Sequence, residues 1–296
     1  MGIRISLIFL MALLAFPLCS IAEEKVFFDA IGREIRIPTF PRRIVSLAPS
    51  ITEILYYIGL EQRVVGVTLF SYYPPDAKSK PKVGSYRDVN VEKVLELAPD
   101  LVIATADGNE PHVVALLEEA RVPVYVVNPR NINDVIKTIR KLGELCGVKE
   151  RASNLCKRLE GRLKAVKTKV YDRKKPLVFL QINLRPIISV NKNTFHHDVI
   201  HTAGGINMTA ELHSTYPRIS IEEVLKRKPE VILISCMARG GMFKRAQEEW
   251  MKWKNIPAVR DNRVHLVNSD LLDRPSPRLF DGLEMVAKLL HPKLDW

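Results

Sequence analysis

A pattern that occurs twice, 130 residues apart, limits what this 296-residue chain can fold into more than any other feature. Asn90-Val91-Glu92-Lys93-Val94-Leu95, followed by Pro99-Asp100 and Leu101-Val102-Ile103, is echoed by Ser220-Ile221-Glu222-Glu223-Val224-Leu225, followed by Pro229-Glu230 and Val231-Ile232-Leu233. Each copy describes one local unit. Asn90 or Ser220 is suited to cap a helix, the glutamate two places on lies in the positive first turn, and proline stops the helix before a buried strand. Matched residue types at equal intervals predict two lobes of one class related by a pseudo-twofold axis.

Apolar runs of strand length alternate with helical patterns in both halves. Ile44 to Leu47, Val64 to Val67, Leu101 to Ala104 and Val124 to Val127 are the strand candidates of the first half; Leu177 to Ile182, Val231 to Ser235 and Val264 to Val267 are those of the second. The alternation predicts an α/β chain with two Rossmann-like lobes, each a parallel sheet covered by helices. Between the lobes, Ala152, Leu155, Cys156, Leu159, Leu163, Val166 and Val170 recur at spacings of three and four among Lys, Arg and Glu, the signature of one amphipathic helix. Taken from Val148 to Tyr171 it has 24 residues and spans about 36 Å at ~1.5 Å per residue, long enough to brace both lobes rigidly. A short hairpin, Val26-Phe27-Phe28 and Glu34 to Ile37 around Gly32, precedes the first lobe. The expected division is a leader at 1–22, an N-terminal lobe at 23–147, the brace at 148–172 and a C-terminal lobe at 173–296.

Arg4 precedes an apolar run from Ile5 to Leu18, and Ser20-Ile21-Ala22 offers a small-residue site ahead of Glu23 and Glu24. This is the pattern of a secretory signal cleaved after Ala22. Its run of about fourteen residues falls short of the ~20 that a spanning helix needs. Cys19 is a poor lipid-attachment site, because Phe16-Pro17-Leu18 puts bulk where small residues belong; the expected product is exported, periplasmic and soluble, with cleavage or retention of the leader left open. The leader carries one Arg and no acid, so nearly all of the formal charge of +12 belongs to the remainder, much of it between Lys157 and Lys175. With export and no nucleic-acid motif, that charge reads as a solvated helix face and no nucleic-acid partner is expected.

Cleavage leaves Cys146, Cys156 and Cys236, an odd number that forms no complete disulfide framework. Cys156 falls on the helical stripe and reads as core, while a Cys146–Cys156 bridge stays open. No nucleophile elbow, phosphate loop, dinucleotide fingerprint or metalloprotease helix is present. An enzyme is therefore not expected, and no catalytic residue is assigned. His197 and His201 have zinc-holding spacing, yet they lack the glutamate of a metalloprotease and sit in a segment that reads as the helix leading to Ala203-Gly204-Gly205, so no metal site is assigned. Asp107-Gly108-Asn109 reads as a loop ahead of a helix with Pro111 at its first position.

Ser50 with Glu53 fits a capping box, the serine accepting an amide and the glutamate reaching back to the cap. Ala48 to Ser50 follow a strand, where the loops of an open α/β sheet face the ligand crevice. Phe70, Tyr72, Tyr73, Tyr86 and Tyr216 lie in such loops, and tyrosine offers a flat apolar face with a polar tip and few bonds to freeze.

Arg43-Ile44-Val45-Ser46-Leu47-Ala48-Pro49-Ser50-Ile51-Thr52-Glu53, Tyr73-Pro74-Pro75, Asn90 to Ala104, and Asp270 with Arg274 to Arg278 resemble, in order and spacing, the helical-backbone substrate-binding proteins of ABC importers for cobalamin and iron-siderophores. Ser269-Asp270-Leu271-Leu272-Asp273-Arg274-Pro275-Ser276-Pro277-Arg278 is most similar to the cobalamin-binding branch. The resemblance implies a monomeric receptor of the class III periplasmic-binding-protein fold. It implies ligand contacts at Tyr73, Tyr86, Tyr216, Asp270 and Arg274. It also implies one docking glutamate per lobe, Glu92 and Glu222, meeting a dimeric permease with ATPase subunits. No cofactor is implied; the cargo would be a cobalt corrinoid or an iron chelate. Cobalamin binders often place tryptophan in the cleft, whereas Trp250, Trp253 and Trp296 match no cleft position, so a siderophore or haem, paired with Arg87, Arg185 and Arg274, is the alternative ligand class.

Overall fold

The computed structural model describes residues 24–235 and 242–296; the expected leader, Cys19 and Cys236 lie outside the described residues. β1 (Glu24–Phe28) and β2 (Glu34–Pro38) pair antiparallel. Their turn is held by Asp29, whose carboxylate accepts the amides of Ile31 and Arg33 at 3.1 and 2.9 Å.

The first lobe carries β3 (Ile44–Ser46), α1 (Pro49–Tyr57), β4 (Val64–Val67), α2 (Val91–Glu96), β5 (Leu101–Thr105), α3 (Pro111–Glu119) and β6 (Val124–Val127). α4 (Ile132–Leu145) and α5 (Lys149–Val170) lead out of it. The second carries β7 (Leu177–Gln181), α6 (Phe195–Thr202), β8 (Ile206–Asn207), α7 (Ile221–Arg227), β9 (Val231–Ile234), α8 (Met242–Met251), α9 (Pro257–Arg260), β10 (Val264–Leu266), α10 (Ser269–Leu272) and α11 (Leu279–Leu290). The two sheets are parallel, ordered β4-β3-β5-β6 and β10-β9-β7-β8. Counted along the chain within each lobe, both read second, first, third, fourth strand.

The sequence echo occupies equivalent places in these sheets, since α2 precedes the third strand of one and α7 the third strand of the other. Asn90 Oδ1 accepts the Lys93 amide at 2.8 Å, and Ser220 Oγ accepts the Glu223 amide at 3.2 Å. The turns that follow both pass through a left-handed residue before the proline, Ala98 at φ 41° and Lys228 at φ 52°. The acids after the prolines then fasten the third strand to the first: Asp100 accepts the amides of Arg42 and Arg43 at 2.7 and 2.9 Å, and Glu230 accepts that of Leu177 at 2.9 Å. Each lobe repeats one wiring plan down to the backbone.

β8 has no counterpart among the expected strands. Two residues are too few to show a period, and β8 exists because Ile206 and Met208 donate to Pro176 and Val178 carbonyls at 2.9 Å.

α5 buries the expected stripe, Ala152, Leu155, Cys156, Leu159, Leu163, Val166 and Val170. Its 22 residues span about 33 Å at ~1.5 Å per residue. Each buried leucine or valine contributes about 1.5–3 kcal/mol relative to exposure. α4 approaches α5 closely because a Cβ on Gly143 would stand 2.2 Å from that of Ala152. On the other side, Arg162 of α5 binds Asp281 and Glu284 of α11 at 2.6 and 2.7 Å. One apolar core runs unbroken from α1 through α4 and α5 to α6 and α11, so the helix is packed along its length rather than slung between lobes. Cys146 and Cys156 are both buried and unbridged, and burial pushes the Cys146 thiol up to about 12.

The capping box expected at Ser50 and Glu53 does not form. Ala48 is the N-cap without a side-chain bond and Pro49 opens α1, where proline's missing N–H removes one of the donors a cap would serve. Glu53, fully buried, points instead into the C-terminal segment of the chain. There it receives Arg274 Nη1 at 2.9 Å, Arg278 Nη1 at 3.3 Å and Ser276 Oγ at 2.5 Å. Burial pushes its carboxyl pKa up, while Ser276 and the two arginines pull it back down. Glu53→Ala would take the shared carboxylate from two nearly buried guanidinium groups, leaving Arg274 its pair with Asp270, and breaking a buried pair in this way costs about 3–5 kcal/mol. Urea unfolding should show that loss; a change below ~1 kcal/mol would deny Glu53 its clasping role.

Candidate functional site

All strands in both sheets are parallel, so each lobe gathers its loops at the carboxyl ends of its strands, and those loops meet between the lobes. The sequence-predicted site residues fall into two groups at opposite sheet edges.

At the β4 and β10 edge, the Tyr72 hydroxyl donates to Asp270 Oδ1 across the gap. Asp270 and Arg274 are one helical turn apart on and after α10, and Arg274 Nη2 reaches Asp270 at 2.9 Å. The Arg274 guanidinium also lies over the Tyr72 ring, 4.6 Å from its centroid. Tyr73 faces a different cation, the Arg278 guanidinium 3.9 Å above its ring. Tyr73 thus lies beside the Glu53 clasp, and Tyr72 is the tyrosine that engages Asp270 and Arg274. Leu69 and Phe70 stand exposed at this rim.

At the β6 and β8 edge, Tyr216 from the second lobe donates to Asp107 Oδ2 at 2.5 Å, while Tyr86 donates to the Asp107 carbonyl at 2.8 Å. Arg130 Nη1 completes the group, 3.2 Å from Asp107 Oδ1. Tyr86 and Tyr216 are separated by the same 130 residues as the echo; they are pseudo-twofold mates that converge on one acid. Burial pushes the phenol pKa of both tyrosines well above the usual value, with Asp107 adding to it, so both remain neutral donors. Gly108 makes the arrangement possible, since a Cβ there would fall 1.7 Å from the Tyr86 ring. Buried Asn109 fixes the loop by donating to the Leu47 and Tyr86 carbonyls at 3.0 and 2.7 Å and accepting the Thr105 amide at 2.7 Å. Beside this group a cavity of about 490 Å³ opens between the lobes, lined by Arg130 and Asn131 from the first and by Lys192, His197, Asp198 and Thr215 from the second.

Sequence reasoning left out Glu53 as an interlobe residue, Asp107 and Arg130. No local period marks them, although carrying the echo four residues upstream would have linked Tyr86 to Tyr216. Arg87 and Arg185 are exposed and pair locally with Glu110 at 3.5 Å and Glu249 at 2.7 Å. Trp250 is a core residue, its indole donating to Gln181 at 2.7 Å. His197 and His201 stack at 6.1 Å between ring centroids, and the described residues contain no group of three or more ligating side chains placed to hold a metal. Glu92 and Glu222 are exposed in the first turns of α2 and α7. The helix amides and Ser220 hold the Glu222 carboxyl below its ordinary pKa. No helix among the described residues is long and apolar enough to cross a membrane.

Residues 44–271 match the periplasmic binding protein family. The vitamin B12-binding protein of Vibrio parahaemolyticus is 34% identical over 249 residues, 83% of this chain and 88% of that one. An uncharacterized ABC transporter substrate-binding lipoprotein of Bacillus subtilis, YvrC, is 33% identical over 271 residues, covering 89% of this chain and 84% of the relative. The crystal structure of the periplasmic vitamin B12-binding protein BtuF of Vibrio cholerae superposes with a TM-score of 0.78 at 31% identity, over 86% of this chain and 98% of that one. The family match over residues 44–271 and the 34% identity across 83% of the chain place it: the chain belongs to the periplasmic binding protein family.

Proposed function

We propose that this chain is the exported solute-binding component of an ABC importer, and that it captures cobalamin or a related corrinoid between its lobes without chemical turnover. The observation that carries the reading is the double-edged cleft, with Asp270 and Arg274 on one side and the paired Tyr86 and Tyr216 on the other. Its chemistry suits a broad ring edged by amides: Tyr86 and Tyr216 supply flat apolar faces with hydroxyls fixed on Asp107, Tyr73 supplies a ring backed by Arg278, and Asp270 and Arg274 supply a hydrogen-bond acceptor and a donor fork. The metal would arrive as part of the cargo. Similarity to vitamin B12-binding proteins supports the choice of ligand.

Across the gap the same groups bond to one another. Tyr72 with Asp270, and Tyr216 with Asp107, are bonds from one lobe to the other that a ligand entering the cleft would exchange for its own. A protein hydrogen bond is worth about 0.5–1.5 kcal/mol net, so this exchange costs little against a large ligand. The packed brace resists wide hinging, and release falls to the permease, which pries the lobes apart under its ATPase subunits. Glu92 and Glu222 hold one position of a pseudo-twofold unit, which fits a dimeric permease presenting two like pockets to a monomeric receptor. The leader is expected to direct export and to be cleaved after Ala22.

Three measurements test this reading. Purified protein mixed in turn with cobalamin, ferric siderophores and haem should carry only corrinoid absorbance through gel filtration, at the elution volume of a monomer; retention of haem alone would overturn the choice of ligand. Tyr72→Phe removes a bond that the ligand must displace, so cobalamin should bind about 2- to 10-fold more tightly; a weaker complex would show that the Tyr72 hydroxyl serves the ligand directly. Reversing Glu92 and Glu222 to Arg together should leave cobalamin affinity unchanged and abolish stimulation of the transporter ATPase. Full stimulation by the double variant would refute the docking assignment.

A further inference from the structure

The cavity between Arg130 and Lys192 is unlike the tyrosine-lined cleft it adjoins. Two cationic side chains face it from different lobes, with Asn131, His197 and Thr215 between them. Its one acid, Asp198, is already engaged, because Asp198 Oδ2 accepts the Ile132 amide at the start of α4 at 2.8 Å. That bond crosses the lobe interface and fixes the Asp198 carboxylate, still charged, at the cavity wall, so a guest anion has to be met by donors from Arg130 and Lys192 that outweigh it.

Both cations have capacity for a guest. Lys192 Nζ pairs with Glu211 at 2.6 Å, but both side chains are more than half exposed, at 55% and 79%, and so open a pair is weak in water and readily exchanged. Arg130 spends Nη1 on Asp107 at 3.2 Å. A guanidinium carries five donors in a planar fork suited to phosphate and carboxylate oxygens. Arg130 also belongs to the Asp107, Tyr86 and Tyr216 group, so a molecule seated on those tyrosines has its periphery next to the cavity.

We propose that this cavity is a subsite for an anionic arm of the captured ligand, a phosphodiester or a carboxylate, gripped by Arg130 from one lobe and Lys192 from the other. The inference rests on the cleft being the capture site and adds a determinant of specificity. The tyrosines take the ring, which many chelates share, while the cavity distinguishes ligands by the arm they carry. A charge held from both lobes also replaces, on binding, part of the bridging that the ligand displaces at Tyr216.

Lys192→Gln is the informative variant, because its partner Glu211 is exposed and its loss should leave the thermal unfolding midpoint unchanged. Binding is titrated by absorbance with cobalamin, whose nucleotide loop holds a phosphodiester, and with cobinamide, which has the corrin ring but lacks that group. The variant should lose about tenfold in affinity for cobalamin, equivalent to about 1.4 kcal/mol, and less than twofold for cobinamide. Equal losses for both, or none for either, would overturn the subsite. If no corrinoid is retained, the choice of ligand fails separately, and haem is compared with its dimethyl ester. A tenfold loss confined to the free carboxylates then supports the subsite, and equal losses overturn it. If neither chelate binds, inorganic phosphate is titrated into the ligand-free chain by calorimetry: millimolar binding that Lys192→Gln abolishes supports the subsite, and no binding overturns it.

Discussion

The most deeply buried polar tie between the two halves of this protein is the carboxylate of Glu53. It has no exposure to solvent, and an ionised group in that position must be met by opposite charge and donors or it costs several kcal/mol. Its partners, Arg274, Arg278 and Ser276, belong to the last segment of the chain, after β10. The first helix of one lobe is therefore satisfied only when the closing segment of the other has docked. The same Arg274 carries Asp270 beside it and covers Tyr72, so the clasp that sets the lobe spacing also builds one edge of the cleft.

The second constraint is the connecting helix. α5 shares a continuous core with α1, α4, α6 and α11, so changing the angle between lobes would mean opening packed leucine and valine contacts rather than rotating a loop. On the proposed reading, ligand exchange takes place at the cleft face, where bonds between polar side chains can be traded singly at small cost. Rigidity at the back and replaceable hydrogen bonds at the front are complementary consequences of where apolar and polar residues fall along the chain.

Duplication explains how the two faces come to match. Asn90 and Ser220, Ala98 and Lys228, Asp100 and Glu230 perform the same local tasks in the two lobes, and Tyr86 and Tyr216 extend the correspondence into the cleft. The symmetry is broken where it matters for binding, because both tyrosines donate to one residue, Asp107. A twofold scaffold thus places Glu92 and Glu222 at equivalent outer positions while its inner surface is asymmetric.

The sequence by itself determined the two α/β lobes, seven of the eight strands in their sheets, the full buried stripe of α5 and the caps of α2 and α7. Each of these follows from a local period or a backbone preference expressed within a few residues. The family resemblance, rather than any local period, named Asp270 and Arg274, which pair at 2.9 Å. Only the tertiary structure decided that Glu53 leaves its own helix to bind residues more than 220 positions away, that Tyr72 rather than Tyr73 meets Asp270, and that Asp107 receives Tyr216 from 109 residues further on. The physical reason is that a buried charge or hydroxyl takes whichever partner the approach of two lobes brings within ~3 Å, and no periodicity along the chain records that approach.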